Sequence, residues 1–421
     1  MGFIKTPIKG MSDFLPSDMR LREHVIGMIK ETYALYGFSQ IETPVMEHME
    51  NLTGKQGGEN EKLIFPVMKR GADLQRALEQ NKELADSALR YDLTVPLSRY
   101  YANNMAALPT PFKALQIGSV FRADKPQKGR FRQFTQCDID ILGDSSILAE
   151  IELISATTAM LTKIFAEAGI SGFTVHVNDR RILKGMAKSA GFAEDSFDTV
   201  FIILDKMDKI GIDGVREELI KSGFDTAAVD KYVTMFGKIT EGISCNEFCG
   251  LIGDGVIDPS VIESMDRILS CVKPMISGSV TLLFDPTLVR GMSYYTGTIF
   301  EISIDGYNFS IAGGGRYDEM IGKFCGQKVC ACGFSIGFER IITILKDRMG
   351  DKAFARDKQC IAILVENGVD TKRMSEVFAR AAKLREDGNI VTVQPLNKNV
   401  KFQIQKLEED GYTQFEKVFC N

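Results

Sequence analysis

The dipeptide Asp305-Gly306 stands between two runs of strand character, Thr298 to Ile304 and Tyr307 to Ile311. Asp-Gly in that position reads as a hairpin turn, because the turns whose twist matches paired strands need backbone angles that these two residues adopt at little cost. A hairpin forces antiparallel pairing, which argues against a doubly wound parallel sheet here. Between Phe112 and Gly143, two further strand-like runs flank the charged loop Ala123 to Gly129 and read as a second hairpin with a basic tip. The expected fold class is therefore α+β, a mostly antiparallel sheet with flanking helices.

Other segments fill in around this sheet. Pro16-Ser17-Asp18 opens a helix running to about Tyr36, with Leu21, Val25, Ile29 and Tyr33 on one face and Gly37 as its stop. Phe38 to Val45 reads as a strand interrupted by Pro44, hence an edge strand or one that ends there. Glu59 to Ala88 is polar and helix-prone, and Leu89 to Pro96 turns apolar and strand-like before another helical stretch. Glu150 to Ala168 reads as a long helix and Phe173 to Asn178 as a strand. Residues 179–270 are rich in helical periodicity and poor in strand signals, the pattern of a helical insertion, and Val280 to Asp285 returns to strand. Beyond Arg356-Asp357-Lys358, which looks like a linker, the runs Cys360–Val365, Thr371–Arg385, Ile390–Pro395, Lys398–Glu409 and Phe415–Phe419 read as βαβαβ. The expected organisation is a discontinuous catalytic domain, 1–178 and 271–350, with a helical insertion at 179–270 and a small α/β domain at 357–421.

Charge and cysteine usage narrow the class. Lys plus Arg number 51 against 56 Asp plus Glu, and a net charge of -5 gives no global field to attract nucleic acid, so any RNA contact has to come from a local patch. No run reaches the ~18 uncharged apolar residues of a membrane helix and the N-terminus lacks a signal-peptide layout, so no membrane association and a cytoplasmic address are expected. The 9 Cys, an odd number over a long chain, suit reduced thiols. Cys325, Cys330 and Cys332 lie close together, as do Cys245 and Cys249, but neither group has zinc-site spacing and His24, His48 and His176 are far off in sequence. No metal site built by a protein cluster is expected.

The chain has neither a Gly-x-x-x-x-Gly-Lys-Ser/Thr loop nor a Gly-x-Gly-x-x-Gly after a strand, so nucleotide handling, if present, has to rely on side chains. Suitable ones lie on the hairpin tip from Phe121 to Phe134, which carries Arg122, Lys125, Lys128, Arg130 and Arg132 among phenylalanines. Guanidinium forks match phosphate oxygens and also stack on flat rings. Gly333-Phe334-Ser335-Ile336-Gly337-Phe338-Glu339-Arg340 reads as a strand entering a helix, with Arg340 projecting at the helix start toward an anion. Two further runs stand out: Leu288-Val289-Arg290-Gly291-Met292-Ser293-Tyr294-Tyr295-Thr296-Gly297, and Ala312-Gly313-Gly314-Gly315-Arg316-Tyr317-Asp318. A tight turn and core tyrosines would explain either run alone, but not both together.

The hairpin and the Gly333 to Arg340 segment resemble motifs 2 and 3 of class II aminoacyl-tRNA synthetases, and the first helix with its Pro44 strand resembles motif 1. The two glycine and tyrosine runs are similar to the pair peculiar to histidyl-tRNA synthetases, in that family's order. Ile8 to Asp13 and Leu89-Arg90-Tyr91-Asp92-Leu93-Thr94 fit the same pattern. The resemblance implies a histidine–tRNA ligase that uses ATP with Mg²⁺ and acts on L-histidine and tRNA(His) as a homodimer. It implies that Arg122 and Arg290 are catalytic, on opposite sides of the reacting groups, and that ATP is held by Arg122, Asp124, Arg130, Phe134, Glu339 and Arg340. Histidine falls to Asp92, Thr94, Gln136, Asp140, Arg290, Tyr294 and Tyr295. Ser293 departs from the family pattern, where Asp is common, as do Asp124 for Glu and Thr135 for His, and the C-terminal domain looks short for reading an anticodon. Two rival readings are the synthetase-like regulatory subunit of ATP phosphoribosyltransferase, which typically degrades the arginines retained here, and an adenylate-forming paralogue that does not act on tRNA.

Overall fold

A computed structural model describes residues 2–53, 60–127, 130–240, 242–276, 278–290, 294–350 and 358–420. Its strands are β1 (Ser39–Ile41), β2 (Met46–His48), β3 (Phe65–Met68), β4 (Ala85–Leu89), β5 (Phe112–Phe121), β6 (Gln133–Leu142), β7 (Phe173–Asp179), β8 (Val280–Phe284), β9 (Thr298–Ser303), β10 (Ala312–Arg316), β11 (Ala331–Ile336), β12 (Cys360–Val365), β13 (Ile390–Pro395) and β14 (Gln414–Val418). The chain forms two compact units, one of residues 1–12 and 28–345, the other of residues 13–27 and 346–421.

The larger unit is built on an eight-stranded sheet in the order β1-β5-β6-β11-β10-β9-β7-β8. The six inner strands pair antiparallel, and parallel pairing occurs only at the rims, β1 on β5 and β7 with β8. Pro44 follows β1, and β1 is the edge strand, as an interrupted ladder requires. The helix Pro16–Leu35 buries Leu21, Val25, Ile29 and Tyr33 along one stripe. Helix Leu148–Glu167 is apolar over most of its surface and buries residues all round, as expected of a helix laid in the core.

Two strand expectations need correction. The second strand of the β9 hairpin is not Tyr307 to Ile311 but β10, the glycine run itself. Tyr307 to Ile311 has the higher strand propensity, but close backbone approach decides the pairing: a Cβ on Gly314 would lie 2.0 Å from the Gly333 carbonyl oxygen and 2.8 Å from both the Phe300 ring and the Phe334 Cα. Leu89 to Pro96 is also not a strand. Strand β4 ends at Leu89 and a helix, Thr94–Asn104, begins five residues later with Pro96 in its first turn, where a missing N–H costs nothing. The stretch before it, which looks helical, contains β3 and β4 as well as the helix Gly71–Glu79. These strands form a small sheet in the order β2-β4-β3, with Pro66 on its edge strand.

Between β7 and β8 the chain is helical: Arg180–Ala190, Phe197–Leu204, Met207–Lys221, Thr226–Phe236, Cys245–Ile252 and Pro259–Val272. Their starts are written in the sequence as caps. The side chains of Asp179, Asp225 and Asp258 each accept a backbone N–H of the following helix, and Ser244 forms a reciprocal capping box with Glu247. Buried Met186, Phe201, Tyr232, Phe248 and Ile268 give these helices an apolar interior.

In the smaller unit, β12 pairs parallel with both β13 and β14. Its sequence Cys-Ile-Ala-Ile-Leu-Val is apolar without alternation because both faces are covered: Ile361, Ile363 and Val365 pack with Val377 and Ala381 of helix Thr371–Glu386, and Ala362 and Leu364 with Leu407 of helix Val400–Glu409. Among the described residues, no helix is long and apolar enough to cross a membrane.

Because the atom that a Gly314 side chain would strike is backbone, neither partner can swing aside. Gly314→Ala is expected to destabilise the larger unit by about 3 kcal/mol or more, measured by urea unfolding; a loss below about 0.5 kcal/mol would show that β10 and β11 separate easily.

Candidate active site

On a strand, alternate residues share a face. Along β6 this puts Phe134, Gln136, Asp138 and Asp140 in one row, and register carries the row across to Ser335 on β11, Gly313 on β10 and Glu301 on β9. The sheet thus gathers side chains from segments far apart in sequence.

One end of this face is acidic. Gln136, Asp138 and Asp140 are all buried, as is Asp92, whose Oδ1 accepts the Val95 N–H at 3.0 Å at the start of the helix that Thr94 opens. Gln136 Nε2 donates to Asp138 Oδ2 at 2.7 Å, and the Tyr317 hydroxyl donates to Asp140 Oδ1 at 2.5 Å. Burial raises all three carboxyl pKa values. That of Asp138 is pushed up to about 7, with the charge of Asp92 adding to the effect, and Asp140 is raised well above the ordinary range by burial and then by Asp138. Gln136 Oε1 and Asp140 Oδ2 find no hydrogen-bond donor among the described residues. Buried polar atoms left this way call for a ligand that brings complementary polar groups. Tyr294 and Tyr295 form a wall here, rings 4.8 Å apart, with Tyr317 at 6.0 Å from Tyr294.

The other end is basic. The Arg122 guanidinium lies 4.4 Å from the Tyr91 ring centre and 5.1 Å from that of Phe134, and its Nε donates to the Tyr91 carbonyl at 3.2 Å. Arg290 pairs with Glu301, and its buried Nε has no acceptor among the described residues. It can lie there because residue 313 is glycine: a Cβ would come within 2.5 Å of the guanidinium carbon. Arg340 donates to the Ser310 carbonyl at 2.5 Å and stacks on Phe309 at 5.4 Å. Its pKa is lowered by burial first and then by Arg290, with Arg130 and Arg122 contributing, which marks four guanidinium groups drawn toward one space. Arg130 and Asp124 stand further out on the loop, 3.7 Å apart, with the Arg130 side chain half exposed. Glu339 is engaged by the backbone, its Oε1 accepting the Thr135 N–H at 3.0 Å.

Asp138 and Glu301 belong to this constellation and escape a reading by motif alone. The signal for Asp138 is the period of two from Gln136 to Asp140; for Glu301 it is an acid inside the apolar strand Ile299 to Ile302. Arg316 of the glycine run works elsewhere, as a buried fork on Glu150 with contacts of 2.7 and 2.6 Å. Ser293, with Gly291, Met292, Lys128 and Gly129, lies outside the described residues. Among the described residues, no three His, Cys, Asp or Glu side chains group as metal ligands, and Cys325, Cys330 and Cys332 are free thiols.

The sequence family described as histidyl-tRNA synthetase matches residues 10–341. The histidine–tRNA ligase of Leifsonia xyli subsp. xyli is 45% identical over 357 residues, covering 81% of this chain and 80% of its own, and that of Cytophaga hutchinsonii is 34% identical over 415 residues, covering 95% and 89%. Among solved structures, histidyl-tRNA synthetase from Nostoc sp. PCC 7120 superposes with a TM-score of 0.76 at 27% identity, over 97% of this chain and 90% of that one. An ATP phosphoribosyltransferase regulatory subunit/histidyl-tRNA synthetase from Bacillus halodurans C reaches 0.78 at 22% identity over 100% and 99%, which speaks to the fold alone. An antiparallel sheet bearing several arginines and a buried acid row, with these relatives, defines an aminoacyl-tRNA synthetase. The chain belongs to the histidyl-tRNA synthetase family.

The raised pKa of Asp138 has a consequence for stability. A carboxyl whose folded pKa lies above its ordinary 3.8 contributes stability that is fully present below that value and lost as pH rises through about 7. Asp138→Asn, which cannot ionise, should therefore gain stability relative to the natural chain between about pH 4 and about pH 8. Paired thermal melts at the two pH values check this, and a difference that does not change with pH would mean Asp138 is not held protonated.

Proposed function

We infer that the chain activates L-histidine with ATP and passes the histidyl group to tRNA(His), with the buried polar atoms of the acid row and the buried Nε of Arg290, which find no partner among the described residues, as the observation that carries this reading. Histidine supplies N–H groups for the former and a carboxylate for the latter. In the first step a histidine carboxylate oxygen attacks the α-phosphorus of ATP, a P–O bond forms, and pyrophosphate leaves with the electron pair of the bond that breaks. In the second, a tRNA hydroxyl attacks the activated carbonyl and AMP departs.

Two anions have to meet in the first step. Arg122, lodged between Tyr91 and Phe134, is suited to hold the α-phosphate and the carboxylate, with Arg290 on the other side. Fixed guanidinium groups neutralise the developing charge without having to reorganise, each worth a few kcal/mol, roughly a hundredfold in rate. Phe134 offers its ring to adenine with Asp124 beside it, while Arg130 and Arg340 take the distal phosphates. Mg²⁺ would come with ATP; such an ion needs only one or two carboxylates beside phosphate oxygens, and Glu339 would supply one. Asp92, Thr94, Gln136 and Asp140 with Tyr294 and Tyr295 take the amino group and imidazole of histidine. Another side chain would leave these buried groups unpaired, and that is the basis of discrimination.

The organisation we propose is a catalytic domain of residues 1–178 and 271–350, a helical insertion at 179–270 and an α/β domain at 357–421, acting as a cytoplasmic homodimer. The three arginines Arg122, Arg290 and Arg340 argue against a regulatory subunit without ligase chemistry.

The test is histidine-dependent exchange of pyrophosphate into ATP, followed by charging of tRNA. Arg290→Ala should cut exchange at least about a hundredfold while the thermal midpoint stays close to that of the natural chain. Normal exchange by the variant would remove Arg290 from the chemistry. Exchange by the natural chain without tRNA charging would favour the adenylate-forming paralogue.

A further inference from the structure

Strand β7 does more than bridge the sheet to the helical segment. His176 Nδ1 meets Asp285 Oδ2 at 2.8 Å, the side chain of Asn178 donates to the Leu288 carbonyl at 3.0 Å, and Arg180 Nη1 donates to the Arg290 carbonyl at 3.3 Å. These are residues i, i+2 and i+4, so the strand and the first residue of the helix that follows it hold three successive points of the segment leading to Arg290. Asn178 and Arg180 are both buried. The Arg180 backbone N–H also donates to the Gly297 carbonyl at 2.9 Å, so the same residue touches the chain at Arg290 and again at Gly297.

The far side of the Arg180 guanidinium points the other way. Its Nη2 donates to Asp198 at 2.9 Å, and it stacks on Phe201 at 4.7 Å, both on helix Phe197–Leu204 of the insertion. Arg180 is nearly fully buried while the Asp198 side chain is 66% exposed. One rigid fork therefore joins the exposed surface of the insertion to the main chain of the residue proposed to neutralise charge in the reaction.

We propose that Arg180 is a positioning residue that fixes the Arg290 main chain for adenylate formation and ties that position to the helical insertion through Asp198. The proposal rests on the role given to Arg290 above. A guanidinium needs to sit within a fraction of an ångström of the developing charge to stabilise it, and small misplacements are costly in rate rather than in substrate affinity.

The experiment uses the full-length chain and pyrophosphate exchange at varied histidine and ATP. Arg180→Met keeps a long apolar stem against Phe201 and removes the donors. It should lower kcat about tenfold or more with both KM values within about twofold, and Arg180→Lys, which can restore one donor, should recover part of the loss. Combined with Arg290→Lys, Arg180→Met should cost clearly less than it does alone, because a residue acting through Arg290 has less to position. An unchanged kcat with only a lower thermal midpoint, or a full and independent loss in the Arg290→Lys background, would overturn the proposal. If Arg180→Met does not fold, Asp198→Ala at the exposed end decides: a kcat fall of about threefold or more at unchanged KM supports the relay, and no change refutes it. Arg290→Ala run beside these separates the two ideas, since normal exchange by that variant would sink the role of Arg290 itself.

Discussion

A guanidinium laid against the middle of a sheet needs space where side chains normally stand and a counter-charge within reach. Arg290 has both, from Gly313 beneath it and Glu301 beside it. Burial, the largest single influence, lowers its pKa, but the charge and hydrogen bond of Glu301 together with Tyr295 and Tyr294 raise it by more, and the net shift is upward. The glycine run is therefore not a turn. It is a strand whose missing side chains create room for a charged group, and the register of β10 between β9 and β11 follows from the same lack of Cβ atoms.

That arrangement also separates charge across one face. Acids whose pKa values burial raises occupy β6 and the start of helix Thr94–Asn104, and arginines stand at the β5 end, at Arg290 and at Arg340. Each half strains against burial by itself: the acids are pushed toward neutrality and Arg340 feels its neighbours. A zwitterionic amino acid beside a polyphosphate answers both halves at once, bringing N–H groups to one and anionic oxygens to the other. The mismatch shows as raised and lowered pKa values, the expected mark of a site built for charged ligands.

Much of this was legible from residue patterns. The apolar stripe of Leu21, Val25, Ile29 and Tyr33 marked the first helix, and the alternating runs from Cys360 to Phe419 marked the βαβαβ order of the tail. What could not be read is what depends on distant approach. Tyr307 to Ile311 carries aromatic and β-branched residues and lost the strand position to three glycines, because only glycines fit between β9 and β11. Strands β3 and β4 are too short and too polar to outweigh helix propensity around them, and they gain their identity from pairing. Asp138 and Glu301 lie outside the motif residues, and their importance emerges only when register places them beside Gln136 and Arg290.

The site of the helical insertion follows from the same geometry. A segment inserted after a strand could leave the sheet anywhere, but β7 continues without a loop into helix Arg180–Ala190, capped by Asp179, whose own carboxylate is gripped by Arg181. A strand that runs straight into a capped helix leaves little slack at the junction, and the segment carrying Arg290 hangs from that junction by Asn178 and Arg180. Rotation of the first insertion helix about its start would have to move the Arg290 main chain or break buried hydrogen bonds, each of which leaves a polar group unsatisfied at a cost of about 1–3 kcal/mol. The helices between β7 and β8 are thus mechanically tied to the segment that carries Arg290.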